Sequence, residues 1–235
     1  MSARADFVMP VRNEGPNIAR ALAELYEKVP AEKRVLIVYD SEDDDTLPVV
    51  RGLAYPGLTL VRNTLGRGLL NAIRSGFAAA TAEVVIVTMA DLSDDVAVAN
   101  EMVRLIEEQK ADVVCASRYM RGGKQIGGPW LKSLLSRTAG MSLHLAGFPT
   151  HDATNAFRAY RRTVLERFPI ESSGGFEYSL ELTAKAHAAG YKVVEVPAVW
   201  RDRVAGETAF RLWAWLPRYL RWYWFALTHR PRGRS

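Results

Sequence analysis

At 235 residues with 49% hydrophobic content, the chain has enough apolar mass to bury the core of one good-sized domain in preference to two small ones. Its one cysteine, Cys115, excludes an internal disulfide, and the lack of about 18 uninterrupted apolar residues excludes an ordinary membrane-spanning helix. The formal net charge of +5 belongs to one end, because from Arg201 onward eight Arg face Asp202 and Glu207, a balance of +6 that leaves −1 for everything before.

Residues 1–6 lack the apolar core of a secretion signal, and a lone thiol fits a reducing compartment, so the expected location is cytoplasmic. Apolar, β-prone runs at residues 6–11, 34–39, 58–61, 83–89 and 112–117 alternate with helical stretches at 16–28, 46–53, 68–80 and 95–109. This is the rhythm of repeated βαβ units. The strand runs are near-continuous rather than alternating, which predicts burial on both faces and hence an α/β fold with a mostly parallel central sheet flanked by helices. After Ser117 the rhythm breaks: a glycine-rich turn at 121–129 leads into an amphipathic helix over Trp130–Leu145. A helix at 175–189 then feeds a short strand at 192–196, and a Trp- and Arg-rich amphipathic helix over 205–228 closes the chain. Residues 1–204 thus read as one folded domain and 205–235 as a basic, aromatic C-terminal helix and tail.

Four segments fall where strands of such a sheet end, which is where open α/β folds hold their ligands. The first, Pro10-Val11-Arg12-Asn13-Glu14, opens a helix and offers polar groups to a base or ribose, or simply a helix cap. The second, residues 39–46, carries more acid than a turn requires, with Asp40 nearest the strand and best placed for a ribose or base. The third, Asn63-Thr64-Leu65-Gly66-Arg67-Gly68, combines glycines with a helix N-terminus that favours phosphate. The fourth is Met89-Ala90-Asp91-Leu92-Ser93-Asp94-Asp95, where Asp91 is the expected ligand of Mg²⁺ or Mn²⁺ and Asp94 and Asp95 are assigned mostly to helix capping.

Taken in order, these segments resemble the motifs of family 2 glycosyltransferases of the polyprenol-phosphate mannose or glucose synthase type. The opening P-x-Y-N-E of that family is similar to residues 10–14, D-D-G-S-x-D-G-T to residues 39–46, N-x-G-L-G-x-A to residues 63–69 and D-A-D-L-Q to residues 89–93. Later, G-S-R-Y resembles Ala116-Ser117-Arg118-Tyr119, D-x-T-S-G-F-R resembles residues 152–158, and R-x-x-G-E-S-K resembles residues 203–209. Arg12, Tyr39, Met89, Ser93 and Ala209 depart from those patterns at a tyrosine, an acid, an acid, an amide and a lysine.

The resemblance implies the GT-A fold, a nucleotide-sugar donor linked to GDP or UDP, a divalent metal and a polyprenyl phosphate acceptor at the membrane surface. It implies donor contacts at Pro10, Arg12, Asn13, Glu14, Asp40, Asn63, Gly66, Gly68, Asp91 and Arg203, with backbone N–H groups of residues 66–68 aiding the diphosphate. Arg118, Arg121, Lys124, Lys132, Asn155 and Arg158 are the expected acceptor-binding residues. Asp91, Asp152 and Arg203 are the expected catalytic ones, with Asp152 or Glu177 serving as base for a hydroxyl acceptor. A phosphate acceptor is already ionised and needs no base, whereas a lipid or glycan hydroxyl does. Two further alternatives are a sugar nucleotidyltransferase and, from the sequence pI near 9.4, a basic nucleic-acid-binding module. Carboxylates at successive strand ends argue against a nucleic acid partner. Aromatics interleaved with Arg in the C-terminal helix, and Leu and Trp in 130–145, suit an anionic lipid surface and a peripheral location on its cytoplasmic face.

Overall fold

A computed structural model describes residues 3–202, 212–229 and 231. Nine strands and eight helices are seen among them: β1 Ala5–Pro10, α1 Gly15–Lys28, β2 Lys33–Tyr39, α2 Thr46–Arg51, β3 Leu58–Arg62, α3 Leu69–Ala79, β4 Val84–Val87, α4 Ala99–Glu107, β5 Val113–Ser117, β6 Lys124–Ile126, α5 Trp130–Leu145, β7 Arg158–Arg161, α6 Arg162–Arg167, α7 Tyr178–Ala188, β8 Val193–Pro197, β9 Val199–Arg201 and α8 Leu212–Thr228. The seven-stranded sheet runs β3-β2-β1-β4-β7-β5-β8, and β6 pairs with β9 in a small second sheet.

Strands β1, β2 and β4 are sealed on both sides because successive side chains feed two different cores. Phe7 and Met9 face α1, α2 and α4 through Ile18, Leu22, Leu47 and Met102. Val8 faces α3, α6 and α7 through Ile73, Val164 and Tyr178. Helix α3 lies so close to the sheet that a Cβ on Gly76 would stand 2.3 Å from Val8 Cγ1.

One strand escapes the sequence pattern. β7 is antiparallel between β4 and β5, and its Arg-Ala-Tyr-Arg sequence reads as polar surface. Arg158 nonetheless lies fully buried in the sheet. Arg161 stays near the edge, bonded to Asp112 at 3.1 Å and to Glu83. A third core joins α5, α7 and α8, with Leu143, Phe148, Leu180 and Trp222 buried together. The C-terminal helix is therefore packed on the domain along one face rather than being a free tail, while Leu220 and Trp224 on the other face remain exposed. The expected boundary at residue 204 falls outside the described residues.

Strand order reverses beside β1, with β2 and β3 on one side and β4 on the other. The carboxyl ends of β1 and β4 therefore open onto a switch-point crevice, the usual ligand position in such sheets.

Candidate active site

The first two loops are clasped together. Asn13 N–H donates to Asp44 Oδ1 at 3.1 Å, Glu14 N–H to Thr46 Oγ1 at 2.9 Å, and Gly15 N–H to Asp45 Oδ1 at 2.8 Å. The acids of the second loop thus satisfy orphan donors at the start of α1. Asn13 sits at φ 55, a conformation Asn tolerates better than most residues. Pro10 is buried within β1, while Arg12 and Asn13 are exposed at the crevice rim.

Asp40 and the third loop form a second clasp. Asp40 Oδ1 accepts from Asn63 Nδ2 at 2.6 Å and Oδ2 accepts from Gly68 N–H at 2.8 Å. Asn63 also donates to Gly66 O at 2.7 Å and accepts from Ser75 Oγ at 2.9 Å. Gly66 and Gly68 take φ values of 96 and 126, open to glycine alone without strain. Both Asp40 oxygens already hold the loop, so Asp40 positions it, and the Gly68 N–H expected to face a phosphate is committed to Asp40.

Asp91 lies just beyond β4 and is 9% exposed. Its Oδ1 accepts from Ser93 N–H at 3.1 Å and Ser93 Oγ at 2.7 Å. Leu92 between them is held at φ 60, a strained value for a bulky side chain. Asp95 caps the following turn through Ala97 N–H at 3.2 Å, as expected. Asp94 does not cap. Its Oδ1 is shut off from solvent and has no hydrogen-bond partner among the described residues. Burial, then the charge of Asp91, push its carboxyl up to about 7, with Arg118 offsetting part of the effect. The backbone of 93–95 is pinned against β9: Arg201 N–H donates to Ser93 O at 2.8 Å and Asp95 N–H to Val199 O at 3.3 Å. The signal for Asp94 was its doublet with Asp95, since one cap needs only one acid.

Across the crevice, Arg118 follows β5. Its Nε and Nη2 grip Asp152 at 2.7 and 2.9 Å, and Nη2 also reaches Ser136 Oγ at 3.1 Å and Thr154 Oγ1 at 2.8 Å. Tyr119 and Trp200 flank the guanidinium, their ring centroids 4.9 and 5.9 Å away. Burial alone would raise the Asp152 carboxyl; the charge and hydrogen bonds of Arg118 outweigh it and hold Asp152 below the usual range. Asp152 is fully buried in this pair, so it orients Arg118 and does not serve as a base. Glu177 is 1% exposed and holds Gly174 N–H at 2.7 Å and Gly175 N–H at 2.8 Å, which removes it from the same role. Arg158 is a further correction: it donates to Asn155 O at 2.9 Å, Ser179 O at 2.6 Å and Asp152 O at 3.0 Å with no exposed surface to offer an acceptor. Asn155 is spent on Ala116 O at 3.1 Å and Phe157 N–H at 3.1 Å.

Arg121 and Lys124 are exposed and Lys132 partly so, on the flank where Ile126, Trp130, Leu131, Leu134 and Leu135 are also open to solvent. Ser136 and Trp200 were not singled out from the sequence, because an isolated hydroxyl or aromatic carries no spacing signal, whereas Tyr119 and Thr154 stand inside the quoted motifs without a role assigned to them. Arg203 and the motif at 203–209 lie outside the described residues.

For a divalent ion, the residues present are a good match. Among the described residues no three His, Cys, Asp or Glu side chains converge on one point. Mg²⁺ and Mn²⁺ at phosphate sites commonly take only one or two protein carboxylates and complete their shell with diphosphate oxygens and water. Asp91 and the unpartnered Asp94 oxygen provide hard donors of that kind.

A mostly parallel sheet with acids on one side of its switch-point crevice and a buried guanidinium on the other is the layout of a nucleotide-dependent transferase. Residues 6–168 match the family described as "Glycosyl transferase family 2", and the chain belongs to that family. It is 30% identical over 207 residues to the polyprenol monophosphomannose synthase of Mycolicibacterium smegmatis, covering 85% of this chain and 78% of that one. It is 27% identical over 215 residues to the dolichol-phosphate mannosyltransferase of Pyrococcus furiosus, covering 88% of this chain and 59% of that one. Two solved structures share the GT-A fold. Glucosyl-3-phosphoglycerate synthase from Mycobacterium tuberculosis, crystallised with Mn²⁺, UDP and phosphoglyceric acid, has a TM-score of 0.72 at 14% identity, over 99% of this chain and 81% of that one. A mannosyltransferase from Pyrobaculum calidifontis, in complex with GDP-mannose and Mn²⁺, has a TM-score of 0.67 at 22% identity, over 100% of this chain and 66% of that one.

Proposed function

We propose that this chain transfers a hexose, with inversion at the anomeric carbon, from a GDP- or UDP-linked donor to a polyprenyl phosphate, bound peripherally at the cytoplasmic face of a membrane. The observation that carries this reading is that Asp91 stands beyond β4 and Arg118 beyond β5 while Asp152 and Glu177 are both locked away from base chemistry. A phosphate oxygen attacks without surrendering a proton, so a site that spends its carboxylates on positioning suits a phosphate acceptor. The two mannose-transferring relatives support the same substrate classes.

In the transfer, an acceptor oxygen forms a bond to the anomeric carbon as the bond to the donor β-phosphate breaks and negative charge grows on the departing diphosphate. Asp91 would hold Mg²⁺ or Mn²⁺, which when bound neutralises that charge as a Lewis acid. Arg203 is assigned to the diphosphate by its motif alone. The Nε and Nη2 edge of Arg118 is held by Asp152, Ser136 and Thr154, so Arg118 would act on the acceptor phosphate through its remaining Nη1 and its fixed charge, and Arg121, Lys124 and Lys132 add positive charge at the entrance. Arg12, Asn13 and Glu14 stand at the rim where the nucleoside enters, on a loop fixed by Asp44, Asp45 and Thr46.

Helix α5 supports the membrane reading. Trp130 is 74% exposed and Leu134 51%, and together with Leu131 and Leu135 they share one helical face. No described helix is long and apolar enough to cross a membrane, so contact with lipid is lateral.

The test is to offer radiolabelled GDP- and UDP-hexoses to the purified protein with polyprenyl phosphate vesicles and follow label into the lipid fraction by thin-layer chromatography. Label in an acid-labile phosphoglycolipid, with nucleoside diphosphate released, is the expected outcome. Transfer only to hydroxyl acceptors would overturn the phosphate acceptor and favour a family 2 glycosyltransferase acting on a lipid or glycan hydroxyl.

A further inference from the structure

We infer that Asp94 is the second protein ligand of the divalent cation, completing with Asp91 a two-carboxylate cradle for the donor diphosphate. The inference rests on the transferase reading above and goes beyond it in assigning a residue that the motif pattern leaves to helix capping. Three observations carry it. First, Asp95 alone performs the capping, so Asp94 is surplus to the local fold. Second, the Asp94 Oδ1 atom is buried without a hydrogen-bond partner among the described residues, a costly state for a carboxylate that a bound cation would relieve. Third, both flanks of Asp94 are fixed: Asp95 N–H donates to Val199 O at 3.3 Å, and Asp94 itself bridges Trp200 of β9. The carboxylate is therefore held in place rather than left to swing out to water.

The neighbouring chain offers no better donor. Met89 has a soft thioether, and the Ser93 hydroxyl already donates to Asp91 at 2.7 Å. A role for Asp94 as general base would require an acceptor proton to remove, which a phosphate acceptor does not present.

Electron paramagnetic resonance titration of Mn²⁺ into the full-length protein, with GDP or UDP present, tests the assignment without relying on turnover. Asp94→Asn is expected to weaken nucleotide-dependent Mn²⁺ binding at least tenfold, as Asp91→Asn should, while Asp95→Asn leaves it unchanged. Asp94→Ser serves the same purpose if the amide variant does not fold. Mn²⁺ affinity in Asp94→Asn within twofold of wild type overturns the assignment, and an unchanged affinity accompanied by loss of a pH-rate limb near 7 would make Asp94 a base instead. Wild-type protein that binds no Mn²⁺ with either nucleotide would overturn the transferase reading itself, an outcome distinct from the failure of Asp94 alone.

Discussion

Charged side chains in this protein do two kinds of work, and burial separates them. Asp6, in the first strand, is fully buried and accepts from Arg34 at 2.7 and 2.6 Å and from Thr81 and Ala82 N–H at 2.6 and 2.8 Å. Burial alone would raise its carboxyl, but Arg34 and the two backbone donors outweigh that and hold it low. A carboxyl lowered on folding contributes stability that is present above its unfolded pKa of about 3.9 and lost as pH falls through the folded value. Asp6→Asn should therefore flatten the acid limb of a pH–stability profile below about pH 4. Asp6→Ala should cost about 3 kcal/mol at neutral pH by urea unfolding. Asp91 shows the other kind of work: Asp91→Asn should lower transfer from a nucleotide sugar by roughly a hundredfold or more, with a melting temperature near that of wild type by calorimetry. Arg158, expected to meet the acceptor, belongs with Asp6, and Arg158→Gln should lower stability while leaving the acceptor KM of the folded fraction unchanged.

Among the elements, α5 connects the exposed apolar face to the acceptor side of the crevice. Its Ser136 accepts from Arg118 at 3.1 Å and from Tyr119 OH at 3.0 Å. Ser133, one turn earlier, accepts from Gln125 of β6 at 2.5 Å. Near the far end of the helix a Cβ on Gly140 would stand 2.1 Å from His151 O, so only glycine allows the helix to lie against the 151–155 segment that carries Asp152. Gly140→Ala should push the two apart, costing about 1–3 kcal/mol and raising the acceptor KM more than the donor KM, because the donor loops are anchored elsewhere. Steady-state kinetics against both substrates would check the split. The helical stretches at 16–28, 46–53, 68–80 and 95–109 reappear as α1 to α4 with only their ends shifted. Their amphipathic periodicity depends on local sequence, whereas the short β7 depends on partners far away in the chain.

For the whole molecule, the open surfaces include the apolar residues Trp130, Leu131, Leu134 and Leu135 of α5, the cations Arg121 and Lys124, and Leu220 and Trp224 of α8. Replacing Leu131 and Leu134 together by Asp should reduce flotation with anionic vesicles while leaving nucleotide binding intact. Added salt should weaken what attraction remains, as expected for headgroup electrostatics. Truncation before α8 is a poorer test, because Trp222 is 3% exposed in the core shared with α5 and α7, and its removal would expose that core as well as remove lipid contacts.

The sequence by itself determined the α/β rhythm, the parallel sheet and the four acidic or glycine-bearing strand ends, because each is written in residues adjacent along the chain. Asp91 was legible for the same reason, standing directly after an apolar run. Only the tertiary structure decided which charges are spent on the fold. Asp152, Glu177 and Arg158 are locked by groups brought to them from other elements, and Asp40 is tied to a loop 23 to 28 residues further on. The same holds for Asp94, whose Oδ1 is shut off from solvent where its backbone bridges Trp200 of β9. Hydrogen-bond satisfaction is a property of three-dimensional neighbours, and no spacing in the chain encodes it.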